Sequence, residues 1–249
     1  MSNGGFTCNN ATAEPNAPPN CQDMENANNE NRSKAIKAFE KPTNVEEARA
    51  QRLASATGMT FGSAVANVSS ASGRVSGMAS ACSSGKTQER LSDSLQKGGK
   101  SEQAAGTDPV KFCDESSDFH HKKGGYGFHA EARLLTELAT AAGGNITGGT
   151  LTFKTDWRYA SARQSDPCIS GMPCRGCYQA MCAASNCGLK IYLCNAQNQP
   201  VPFENPKGPP CEDADGKNPD NDGLADLDRR MGEDRYTGIA NAWTNRAVP

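Results

Sequence analysis

Two short stretches hold the residue types from which a reactive centre is built: His129-Ala130-Glu131, and Pro173-Cys174-Arg175-Gly176-Cys177. Imidazole nitrogen and thiolate sulfur are zinc donors, and three protein donors with one open position is the pattern of a catalytic rather than a structural zinc. Cys174 and Cys177 are three apart and share the first turn of a helix. A helix N-terminus favours thiolates through its dipole and free N–H groups. His129 and Glu131 are two apart and diverge by about 200° inside a helix, so they can serve one metal only at the helix N-terminus. Zinc would bring the pKa of its water to about 7. Glu131, not a ligand, would carry that proton to a ring nitrogen and a leaving amine, which suits deamination of an amidine-like carbon.

These motifs need helices to open. Residues 129–142 predict the clearest one: Leu135, Leu138 and Ala142 share a face, and Gly143-Gly144 ends it. Glu131 falls on that apolar face, where a carboxylate is costly without a partner. Pro173 is read as the first residue of a second helix running to about Asn186. Thr150–Trp157 and Leu189–Cys194 read as strands on either side of it, and a strand–helix–strand unit of this length makes the two strands parallel neighbours. The segments 59–68 and 73–82 suggest a β-hairpin around Ser69–Ser72. Helical spacing covers 33–56 with a break at Pro42, Asn44 as N-cap and a Val45, Arg49, Leu53 stripe. It returns from Asp222, through Leu224, Leu227 and Met231 to Trp243.

The chain has 249 residues, 36% of them apolar, a net charge of −2 and eleven cysteines. No global basic field draws in nucleic acid. No apolar run approaches the roughly 18 residues of a membrane helix, and no cleaved signal peptide is expected after Met1. Cysteines in a reducing compartment point to metal before disulfides. The Asn-rich residues 1–32 read as a mobile tail with Cys8 and Cys21 as exposed thiols. The domain is placed at 33–249, with its core at 33–200 and a loop and helical extension at 201–249.

His129-x-Glu131 followed by Pro173-Cys174-x-x-Cys177 resembles the zinc-dependent cytidine deaminase-like superfamily, whose signature is H-x-E then P-C-x-x-C. The resemblance spans about residues 33–200. It implies an α/β fold in three α/β/α layers: a mixed sheet with a hairpin and a parallel βαβ unit, and helices on both faces. It also implies Zn²⁺ on His129, Cys174 and Cys177, with Glu131 shuttling protons. The chain departs from the family pattern between strand and cysteine motif, where about fifteen residues (158–172) form a loop with another Pro-Cys at Pro167-Cys168. Surroundings rich in glycine and Asn are similar to deaminase domains of bacterial polymorphic toxins, which implies a nucleic-acid substrate, DNA first, an immunity protein as partner, and either a cytoplasmic location or specialised secretion into a target cell. Lys122, Lys123, Arg158, Arg163 and Arg175, with Tyr126, Phe128, Trp157 and Tyr159, are candidates to hold a single strand by phosphate contact and stacking, beside Ala130. Core packing is the competing role for Trp157. A free nucleotide, or adenine in RNA, is the alternative substrate.

Two other metal readings come from the sequence. Cys174, Cys177, Cys182 and Cys187 could close a four-cysteine structural site. Asn218-x-Asp220-x-Asp222-Gly223 resembles the start of a calcium loop, but Arg229 stands where the terminal Glu belongs, which favours an acidic turn.

Overall fold

A computed structural model of the chain describes residues 7–9, 21–55, 59–83, 111–113, 129–159, 168–204 and 221–232. The elements run in the order β1 (Thr7–Asn9), α1 (Cys21–Ala38), α2 (Val45–Ser55), β2 (Thr60–Ser70), β3 (Gly73–Cys82), α3 (Ala130–Ala141), β4 (Ile146–Tyr159), β5 (Cys168–Ser170), α4 (Arg175–Ser185), β6 (Leu189–Cys194), β7 (Pro200–Pro202) and α5 (Asn221–Met231). The seven strands form one mixed sheet in the order β1-β3-β2-β4-β6-β7, with β5 added to the far end of β4. The fold is α/β, as the sequence predicts.

The predicted hairpin is present, with its second strand at the predicted 73–82, its first running on through Ser70, and a turn confined to Ala71-Ser72. The predicted crossover is present too: β4 and β6 pair in parallel, Gly149 beside Leu189 through Phe153 beside Leu193. β2 joins the two units by pairing antiparallel with almost the whole of β4.

Alternation along β2 and β4 assigns the helices to faces, since successive strand side chains point to opposite sides. Ala64, Ala66, Val68, Leu151, Phe153 and Trp157 enter the main core with Leu134, Leu135 and Leu138 of α3. Burying each of those leucines contributes roughly 1.5–3 kcal/mol. Phe61, Ser63 and Val65 point the other way, to α1. Helices therefore cover both faces. α3 ends where Gly143 takes φ 64°, a left-handed conformation that stops the helix, and its N–H bonds the Thr140 carbonyl.

Several expectations are corrected here. The tail predicted at 1–32 is structured in part: β1 pairs with β3, and α1 begins at Cys21 and buries Cys21, Met24, Ala27, Asn28 and Asn31. An Asn-rich composition hides this, because the helix packs through small and polar residues instead of large apolar ones. Cys21 is not an exposed thiol; it is disulfide-bonded to Cys194 at the end of β6. Cys113 is bonded to Cys187. The preference for metal over disulfides fails for these four cysteines, and disulfides are features of oxidising compartments. In a chain-entropy model the 173-residue separation of Cys21 and Cys194 corresponds to about 5 kcal/mol of stabilisation.

The N-cap at Asn44 is present: its Oδ1 accepts from the Glu47 N–H at 2.9 Å. The packing stripe of α2 is different from the one read. Val45 and Arg49 are exposed, and Glu47, Ala50 and Ala54 face inward. Glu47 is held there by the Thr43 N–H and hydroxyl, both 2.8 Å from its carboxylate. The predicted 158–172 loop contains the end of β4 and all of β5. The calcium-loop reading also fails in its second half, because helix α5 begins at Asn221 and runs through Arg229. Trp243, the end of the predicted C-terminal helical spacing, lies outside the described residues. Among the described residues no helix is long and apolar enough to cross a membrane.

Candidate metal centre

The two motifs meet because two helices open side by side. His129 is the N-cap of α3, in extended conformation (φ −67°, ψ 147°), with no side-chain cap bond of its own. Its imidazole instead reaches the sulfurs of Cys174 and Cys177. Cys174 is the N-cap of α4, and its sulfur accepts the Cys177 N–H at 3.5 Å. The helix thus starts two residues later than the Pro173 opening read from the sequence, and the thiol itself serves as the cap. β5 fixes the approach to it: Ser170 pairs with Trp157, and the Ser170 hydroxyl accepts the Met172 N–H at 3.1 Å. Three residues are too few for a strand to be read from sequence, so this support was not legible there.

His129 Nδ1 lies 3.1 Å from Cys174 Sγ and 3.5 Å from Cys177 Sγ. All three donor atoms are within 4.8 Å of one another, and among the described residues no other such group occurs. Tetrahedral zinc with bonds of 2.0–2.3 Å sets its donors about 3.5–3.8 Å apart. The N/S donor set is of the kind zinc takes; the His129–Cys177 separation of 3.5 Å matches that spacing, and the His129–Cys174 separation of 3.1 Å is shorter. His129, Cys174 and Cys177 form a group able to hold a metal ion.

The electrostatics of the metal-free group are those of a thiolate–imidazolium pair. Burial opposes ionisation of Cys174, but hydrogen bonds from the Cys177 thiol and N–H and the His129 charge outweigh it and hold Cys174 well below the usual thiol range. Cys177 is pushed well above that range by donating to Cys174 and by burial. Burial disfavours the His129 imidazolium, yet the adjacent Cys174 thiolate more than reverses this and raises it to about 9. Glu131 is 4% exposed. Burial, then the Cys174 charge, push its carboxyl up to about 7, against the opposing pull of His129 and a hydrogen bond with Cys177.

The four-cysteine alternative is not assembled. Cys187 is committed to Cys113, and Cys182 is buried in the main core. Of the substrate contacts read from sequence, Ala130, Trp157 and Arg158 are among the described residues. Ala130 is fully buried against the sheet, and Trp157 is buried in the core, the competing role read for it. Arg158 is on the opposite face of β4 from Trp157, gripping Asp156 with two hydrogen bonds of 3.1 Å. Strand alternation carries Asp156 and Arg158 together to the α1 side. Tyr126, Phe128, Lys122, Lys123 and Arg163 lie outside the described residues, as do the side chains of Tyr159 and Arg175. Arg133, which the sequence reading did not single out, is buried one turn after His129 on α3.

No protein-family model, curated protein or solved structure matches this chain.

Proposed function

We propose that the protein is a zinc-dependent hydrolytic deaminase of a nucleobase, acting on cytosine in DNA. The observation that carries this reading is a buried carboxylate, Glu131, two residues after His129 and electrostatically coupled to Cys174 and His129 of a His-Cys-Cys group. Three donors leave a fourth zinc position open. When bound, zinc would supply water activated at neutral pH.

The roles of the chain's own residues follow. Cys174, Cys177 and His129 would hold the ion at the N-termini of two helices. Glu131 is close enough to the group to accept a proton and, being buried, exchanges it with the substrate rather than with bulk solvent. A carboxylate positioned beside the reacting atoms can take the proton and return it, first to the ring nitrogen and then to the departing amine. The resemblance of the paired motifs to the deaminase superfamily supports the substrate class. The similarity of their surroundings to polymorphic-toxin domains supports a nucleic-acid substrate and an immunity protein as partner.

The test is incubation of zinc-loaded protein and its Glu131→Ala variant with single-stranded DNA, duplex DNA, RNA and free nucleosides, followed by base-composition analysis. Uracil should accumulate in DNA with the wild type. Its rate should fall by at least roughly 10²–10⁴-fold in the variant, the contribution of a positioned acid–base group. No Glu131-dependent loss of amine from any substrate would sink the reading.

A further inference from the structure

The residues of β2 that lie under α3 increase in size along the strand. Gly62, Ala64, Ala66 and Val68 share the face of the main core. Gly62 lies beneath the first turn of α3: a Cβ placed on it would stand 3.1 Å from the Ala130 Cβ and 3.5 Å from Leu134 Cδ1. At the other end, a Cβ on Gly143 would stand 3.5 Å from the Ser72 hydroxyl, beyond the end of β2. The gradation is a wedge, thinnest where the helix carries its chemistry.

We propose that Gly62 is a positioning residue for the metal centre: its missing side chain lets the N-terminus of α3 lie close on β2, and this sets where His129 and Glu131 stand relative to the two cysteines. The inference rests on the reading of His129 as a ligand.

The physical reason is that nothing at this contact can yield cheaply. Ala130 has no rotamer to change, and its Cβ is fixed to the backbone between His129 and Glu131. Leu134, Leu135 and Leu138 are fully buried and anchor the helix behind it. An approach of 3.1 Å must therefore be relieved by a few tenths of an ångström of backbone movement. Metal sites hold donor distances to within about 0.2 Å. A movement small for the fold is large for the site. The cysteines would not follow, because they stand on α4.

Gly62→Ala and the double variant Gly62→Ala/Ala130→Gly, made in the full chain, test this by zinc competition against a chromophoric chelator, by the absorption of the cobalt-substituted protein, and by thermal unfolding. Gly62→Ala should bind zinc roughly ten-fold more weakly, the low end of what losing a ligand's supporting contact costs. Its cobalt bands should shift while unfolding stays close to that of the wild type. The double variant, which removes the opposing methyl, should recover wild-type affinity and bands. Wild-type affinity and spectrum in Gly62→Ala would overturn the inference. If Gly62→Ala does not fold, a folded double variant with weakened zinc binding would overturn it equally. A wild type that takes up no zinc removes the metal reading and this inference together; normal wild-type uptake with unchanged uptake in Gly62→Ala removes the inference alone.

Discussion

The two faces of the sheet both bury charge, and they treat it differently. On the α1 face, Arg32 is 3% exposed and donates to the Asp156 carboxylate (3.2 Å), to the carbonyls of Ala54 (3.0 Å), Met59 (3.2 Å) and Asp156 (3.1 Å), while its guanidinium lies over the Phe61 ring at 4.6 Å. Asp156 in turn accepts from Arg158. Nearby, Asn28 bridges the Lys154 carbonyl and the Ser63 hydroxyl, and Lys154 Nζ donates to the Asn195 carbonyl. Burial lowers the Arg32 pKa, and Asp156 works against that. On the α3/α4 face, Glu131, Cys174 and Cys177 are buried together, so that three acidic groups compete for protons around one imidazole. Paired buried charge serves to locate one element on another, and crowded acidic groups make a place for a cation. The difference separates scaffold from site within the same two strands.

The sharpest way to break that contrast is to remove the shared acid of the α1 face. Asp156→Ala leaves Arg32 buried without its counter-charge and frees Arg158. Stranding a buried partner costs about 3–5 kcal/mol, so denaturant unfolding should show a loss of that size. Zinc uptake by the folded fraction should be unchanged, since the pair faces away from the metal centre. A loss below about 1 kcal/mol, or a weakened zinc affinity in folded protein, would mean that the two faces are not separable in this way.

How far the sequence reveals each face follows the same division. His129, Glu131, Cys174 and Cys177 were legible because metal donors are rare residue types at fixed spacings, and each pair opens a helix with its own stop signals. The hairpin and crossover were legible from strand patterning on either side of those helices. The α1 face was not. Its helix is carried by alanines and by Asn28 and Arg32, polar residues whose burial depends on partners more than 120 positions away, Lys154 and Asp156. No local period reports a long-range hydrogen bond. The disulfides were hidden for the same reason: Cys21 and Cys194 become neighbours only after α1 has docked beside β6.

Glu131 offers the converse experiment, on the site face. Its folded pKa of about 7 is above the ordinary 4.5. The metal-free fold therefore binds more protons than the unfolded chain between those values, and its stability falls as pH rises through that window. Above pH 7 the full penalty is present, about 3 kcal/mol from the size of the shift. Glu131→Gln removes the titration. Metal-free Glu131→Gln should match the wild type near pH 4.5 and exceed its stability by up to about 3 kcal/mol at pH 8. A gap that does not change with pH would show that this carboxyl is not held at a cost.

The α1 face also buries polar groups outside its satisfied network, and one of them, Asn31, gives the smallest test. Asn31 is 1% exposed, and neither its side-chain nitrogen nor its oxygen has a partner. It sits one turn from Asn28, between the residues that grip β2 and β4. A buried amide without partners costs about 1–3 kcal/mol, and replacing it with an apolar group of similar shape recovers part of that. Asn31→Leu should therefore stabilise the fold by about 1 kcal/mol, read as a higher denaturant midpoint at constant slope, with zinc affinity untouched. Destabilisation of similar size would show that an internal water completes the amide, as buried polar groups often require. In that event one more buried group of the α1 face would be satisfied, and the contrast with the metal centre would be stronger than the protein atoms alone make it.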